Sequence, residues 1–154
     1  SNMLLIKFKK KLGNLFFNIS TESKLYRYIK FNRSGFTLIS RFLEKRFSLK
    51  YACYISRHVT LGERISFRHP VGVVIGEGVS IGNDVIIFQN VTLGAAKEGD
   101  GAKGLYPKIG DRCTIFAGAV IVGDITIGDD CVIGANVVVS KSIPKNTIVT
   151  KRTK

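Results

Sequence analysis

Residues 109–139 divide into sixes as IGDRCT, IFAGAV, IVGDIT, IGDDCV, IGANVV and a closing Val139. An aliphatic residue opens every block: Ile109, Ile115, Ile121, Ile127, Ile133 and Val139. Four positions later comes a second small or apolar residue, at Cys113, Ala119, Ile125, Cys131, Val137 and then Ile143. An amphipathic helix repeats near 3.6 and a simple strand near 2, so neither accounts for six. Upstream the same pattern runs through Ile55, Leu61, Phe67, Ile75, Ile81, Ile87 and Leu93. Its second residues are Val59, Ile65, Val71, Val79, Val85 and Val91. Glycine follows the opening aliphatic at Gly62, Gly76, Gly82, Gly94, Gly110, Gly128 and Gly134.

This period predicts an all-β solenoid of very short strands. Each hexad makes one flat side, its aliphatic pair points inward, and Gly, Asn or Asp turns the corner. Three hexads close a triangular coil, and coils stack at about 4.8 Å as parallel, hydrogen-bonded strands. Cys113 and Cys131 then read as small core residues.

The period breaks twice. Two extra residues fall between Phe67 and Ile75, where His69 lies, and ten fall between Leu93 and Ile109. Solenoids accept insertions at corners, and such insertions tend to build the binding face. The second insertion, residues 95–108, carries Gly99, Gly101 and Gly104 and is expected to project as a mobile loop.

Around these breaks, residues 69–77 read HPVGVVIGE, 81–85 IGNDV, 89–94 QNVTLG and 107–110 PKIG. With the hexads, these runs resemble the hexapeptide-repeat acyltransferase superfamily, and within it the serine acetyltransferase branch. The resemblance covers residues 51–148. It implies a left-handed parallel β-helix, although parallel crossovers are ordinarily right-handed. It also implies a homotrimer with acetyl-CoA as cosubstrate, bound in a groove between subunits. His69 matches the general base of that branch, and imidazole suits the task of taking a hydroxyl proton at neutral pH. Small residues must line the pantetheine arm, and the matching positions are Gly94, Ala95, Ala96, Ala117, Gly118 and Ala135. Lys108 and Lys141 are candidates for the CoA phosphates. No metal is expected: His58 and His69 are the chain's two histidines, and the zinc enzymes sharing this fold use three.

Four positions depart from the branch. Aspartates that hold the amino acid and orient the histidine are replaced by Arg68 and Tyr54, and an Arg-His pair by Leu105-Tyr106. Glu77 is the candidate to orient His69 instead. Arg68, Asn90 and Tyr106 are assigned to the acceptor. The departures point to a surface-saccharide hydroxyl as acceptor, with serine O-acetylation as the enzyme alternative. An inactive scaffold or membrane-associated protein is the alternative from another class.

The chain has 154 residues and a net charge of +13, distributed unevenly. Residues 1–50 hold twelve Lys/Arg against Glu22 and Glu44, so +10 of it lies in the first third. There, residues 3–50 are expected to form a basic, amphipathic α-helical segment, with Leu4, Leu5, Phe8, Leu12, Leu15 and Phe16 on one face of its first helix. Such a segment can cap the open end of the solenoid, meet an anionic membrane, or do both. No nucleic-acid-reading motif accompanies the charge. Residues 149–154 form a basic tail. An odd count of three cysteines without C-x-x-C spacing fits a reducing, cytoplasmic compartment.

Overall fold

The computed structural model describes residues 49–151. Nearly all of the expected amphipathic segment, and the end of the basic tail, lie outside the described residues.

From Tyr54 the chain winds around three flat faces, and every strand pairing is parallel. The first face holds β1 (Tyr54–Ile55), β4 (Val74–Ile75), β7 (Thr92–Gly94), β10 (Val120–Val122) and β13 (Val138–Val139) in that order. The second holds β2 (Thr60–Leu61), β5 (Ser80–Ile81), β8 (Lys108–Ile109) and β11 (Thr126–Ile127). The third holds β3 (Ser66–Phe67), β6 (Ile86–Ile87), β9 (Thr114–Ile115), β12 (Val132–Ile133) and β14 (Ile148–Val149).

The hexad pattern becomes the core directly. Phe67, Ile75, Ile87, Leu93, Ile115, Ile121, Ile127 and Ile133 are all completely buried along the prism axis. Each such side chain contributes roughly 1.5–3 kcal/mol of burial. Two positions are shifted from the expected pattern. Val71 is 54% exposed, and Val73 takes the inward place with no exposure. Both are apolar and two residues apart, so hydrophobicity alone could not choose between them. Ile143 does not complete the hexad of Val139 but bridges Ile127 in the coil below, so this coil is shorter.

Corners between the second and third faces are stitched by side chains as well as backbone. Asn83, Asp111 and Asp129 each accept, through Oδ1, the N–H of the residue one coil earlier: Glu63 at 2.8 Å, Asn83 at 2.7 Å and Asp111 at 2.8 Å. The coils approach so closely here that glycine is required. A Cβ built at Gly62 would lie 2.5 Å from the Gly82 carbonyl oxygen. On the outside of this edge, Arg112 donates two hydrogen bonds to Asp130 at 2.7 and 2.8 Å, and Arg64 forks onto Asp84 in the same way. Asp84 and Asp130 adopt left-handed φ of 57°, a conformation Asp and Asn tolerate.

The cysteines are buried, free thiols. Cys113 and Cys131 donate to the carbonyls of Gly128 and Pro144, both at 3.1 Å. Burial pushes the Cys113 thiol up to about 11 and the Cys53 thiol in the same direction, so they are structural, unreactive groups.

Hydrogen bonds from Arg64 and Arg112 hold the carboxyls of Asp84 and Asp130 below the usual carboxylate range. The folded groups bind their protons less tightly than the unfolded chain does. Their stabilisation is therefore complete above the unfolded value of about 4 and fades as pH falls through the lowered folded values. Asp130→Asn keeps the left-handed turn and removes the ion pair. Its melting temperature should lie below the parent's at pH 7, with the gap closing near pH 2; a gap independent of pH contradicts the assignment.

Candidate active site

The prism has three edges. The charged edge just described joins the second and third faces. Corners joining the third face to the first carry His69, and corners joining the first to the second carry the long insertion.

On the His69 edge the two extra residues form a bulge. His69 has φ of +49°, the left-handed region, and Val71 N–H donates to its carbonyl at 2.7 Å. The same left-handed turn recurs at the corner residues Ala52, Arg64, Asn90, Arg112 and Asn136, so it belongs to the winding; what sets His69 apart is the break in the repeat. Pro70 is buried behind it, and the imidazole is exposed. Coil by coil, the bonds Asn90 N–H to Val71 O, Gly118 N–H to Gln89 O and Asn136 N–H to Ala117 O stack the corners below one another. Asn90, Gly118 and Asn136 all have positive φ. This alignment brings Arg68, His69, Asn90, Ala117, Gly118 and Ala135 to one edge. Phe88 and Phe116 stack there at 5.0 Å between ring centroids. Gln89 Oε1 is buried without a hydrogen-bond partner among the described residues. Sequence reasoning missed this acceptor, because a repeat pattern says nothing of which corner amide is satisfied.

On the next edge, across the first face, lie Glu77, Gly94, Ala95, Ala96, Tyr106 and Lys141. Glu77 Oε1 stands 3.7 Å from His58 Nε2, and Arg57 Nε donates to the same nitrogen at 3.1 Å. Within one chain, Glu77 and His69 thus occupy different edges. Lys108 opens β8 on the second face and is exposed. The insertion does not simply project. Residues 97–106 are folded by internal hydrogen bonds around a 3₁₀ turn at Gly101–Lys103, and Tyr106 packs back toward the core.

Gly94 differs from the corner glycines. Like Gly62 and Gly82 it has no left-handed φ, but an added Cβ would meet nothing within 4 Å among the described residues, where theirs would collide with the next coil. Among the described residues, neither the backbone nor the packing demands glycine here. Among the described residues no group of His, Cys, Asp or Glu could hold a metal ion, and no helix is long and apolar enough to cross a membrane.

The geometry can be set beside known proteins. The family described as "Bacterial transferase hexapeptide (six repeats)" matches residues 106–141. The serine acetyltransferase of Mycobacterium tuberculosis is 45% identical over 89 residues, covering 58% of this chain and 38% of that protein. The solved serine acetyltransferase isoform 3 of Entamoeba histolytica, in complex with cysteine, superposes with a TM-score of 0.72 at 33% identity, over 82% of this chain and 46% of that one. A serine acetyltransferase in complex with CoA superposes with a TM-score of 0.70 at 29% identity, over 81% and 52%. The chain therefore spans between about two fifths and half of these relatives' length. Parallel hexapeptide coils with these neighbours make the fold a left-handed β-helix. The same relatives overturn the saccharide acceptor, and polysaccharide biosynthesis with it. Departures at Tyr54, Arg68, Leu105 and Tyr106 are outweighed by 45% identity over 89 residues to a serine acetyltransferase, and the serine alternative is the one favoured.

Proposed function

We propose that this chain, which belongs to the hexapeptide-repeat acyltransferase superfamily on its serine acetyltransferase-like branch, is an acetyl-CoA-dependent serine O-acetyltransferase. One observation carries the reading. His69 stands in the two-residue break of the repeat and shares its edge with Ala117, Gly118 and Ala135.

In this reading the His69 imidazole accepts the proton of the serine hydroxyl as its oxygen attacks the thioester carbonyl carbon. The C–O bond forms, and the oxyanion of the tetrahedral adduct accepts a hydrogen bond from a backbone N–H of the groove. Collapse breaks the C–S bond, and the departing CoA sulfur takes the proton back from His69. Arg68, next in the chain, supplies a guanidinium for the serine carboxylate, the fork geometry that suits it best. Asn90 lies one coil further along the edge. Glu77 is left to act from a neighbouring copy.

A single chain holds the small residues in two halves. Gly94, Ala95 and Ala96 lie on the loop edge, and Ala117, Gly118 and Ala135 lie on the His69 edge, with the first face between them. That face leaves Tyr54 59% and Val138 69% exposed. A homotrimer covers such apolar surface and brings one chain's His69 edge against the next chain's loop edge. The acetyl-CoA groove is then complete only between two copies. In this reading Lys108 and Lys141 are the groups that meet the CoA phosphates. Buried free thiols fit a cytoplasmic enzyme. The +10 of residues 1–50 suits a position beside an anionic membrane surface.

Purified protein should release CoA from acetyl-CoA only when L-serine is present, and His69→Ala should lower kcat by roughly 10²- to 10⁴-fold with acetyl-CoA binding retained. Unchanged turnover in that variant removes the general base. Gly94→Ala should leave the melting temperature within about 1 °C of the parent, because its methyl meets open space. The same methyl should raise the acetyl-CoA KM by about tenfold; an unchanged KM takes Gly94 out of the groove.

A further inference from the structure

Tyr106 ends the insertion, one residue before Pro107 and β8. Its ring occupies a clearing left by three glycines. A Cβ built at Gly76 would stand 2.8 Å from its Cε1, one at Gly101 2.7 Å from its hydroxyl oxygen, and one at Gly78 would collide with Cδ2. None of the three has a left-handed φ, so their lack of a side chain serves the ring and not the turn. The ring is half-buried against the core cluster. Gly76 and Gly78 belong to the corner after β4, one coil below the insertion.

The other end of the insertion rests on the coil above. Gly123 N–H donates to the Gly94 carbonyl at 3.0 Å, and a Cβ at Gly123 would lie in ordinary contact with the Ala96 methyl at 3.5 Å. Between these anchors the segment is closed by its own backbone bonds. Asp100 N–H donates to Lys97 O at 3.2 Å, Gly104 N–H to Gly101 O at 3.0 Å, and Leu105 N–H to Asp100 O at 3.1 Å. Residues 97–105 thus form one closed turn, tied above through Gly94 and Ala96 and below through Tyr106.

We propose that Tyr106 is a positioning residue, an aromatic clasp that seats the insertion on the corner of Gly76 and Gly78 and so fixes the wall beside Gly94, Ala95 and Ala96. It acts on acetyl-CoA through the loop and does not bind the acceptor. The kinetic half of this proposal rests on the acetyltransferase reading, while the clasp itself does not.

Lys97 and Lys103 give trypsin two reporter bonds inside the segment. Full-length Tyr106→Ala should be cut there at least about tenfold faster than the parent, because cleavage follows the population of the opened loop. Its acetyl-CoA KM should rise about tenfold with kcat within about twofold, the pattern of lost preorganisation. Tyr106→Phe keeps the ring and should match the parent in both readouts. Gly78→Ala fills the clearing and should reproduce Tyr106→Ala, and the double variant should be no worse than either single one. Parent-like trypsin cleavage in Tyr106→Ala overturns the clasp. A kcat loss shared by Tyr106→Phe and Tyr106→Ala, with the loop still protected, overturns it in favour of a hydroxyl acting on the acceptor. If the parent shows no acetyl-CoA turnover, the acetyltransferase reading fails, and trypsin still decides the clasp.

Discussion

Backbone hydrogen bonding between successive coils is the constraint on which everything else in this structure depends. Val74 must lie beside Thr92 and Val120 beside Val138, and no strand among the described residues is longer than three residues. A chain held this way has little freedom to vary along its faces. Extra residues can enter only where strands end, so departures from the repeat accumulate on the edges. The charged edge absorbs none and is reinforced by the ladder of Asn83, Asp111 and Asp129. The other two edges hold the breaks, and the candidate chemistry is found there.

The same constraint separates the pieces of the candidate site. His69 and its neighbours are fixed to one edge, and the Gly94 turn and the insertion to the next, because each belongs to a different corner of the winding. No rearrangement of side chains joins them within one prism without breaking strand pairs. Exposed Tyr54, Val74 and Val138 on the face between are the apolar surface a second copy would cover. In the proposed trimer, folding of the single chain and assembly of the site are therefore distinct requirements. Gly94 shows the difference at one residue, because nothing among the described residues requires it to be small.

Much of the fold was legible in the sequence because burial along a solenoid repeats with the winding. Ile109, Ile115, Ile121, Ile127 and Ile133 could be placed inward without coordinates, and all are buried. Legibility failed where the spacing changed. Insertion length reveals how many residues are extra but not which one turns inward, so Val73 replaces Val71. The shorter last coil likewise moves Ile143 into register with Ile127. Contacts between corners were invisible for another reason. Gly76, Gly78 and Gly101 are unremarkable turn residues until the Tyr106 ring is seen among them. Glu77 could not be assigned an edge by proximity in sequence, since eight positions from His69 carry the chain around a face. For the acceptor the two signals oppose each other: Tyr54, Arg68, Leu105 and Tyr106 point away from serine, and the identity shared with serine acetyltransferases favours it.

Mixing two defective chains tests most directly whether the site is assembled from two copies. His69→Ala disables one edge, and a bulky Gly94→Trp blocks the other. Each variant alone should be inactive with acetyl-CoA and serine. Co-refolded in equal amounts, they should form sites that combine an intact His69 edge with an intact loop edge, and about a quarter of the parent activity should return. Mixed assemblies that form but recover nothing would contradict the account, because the two edges would then have to serve the same site from within one chain.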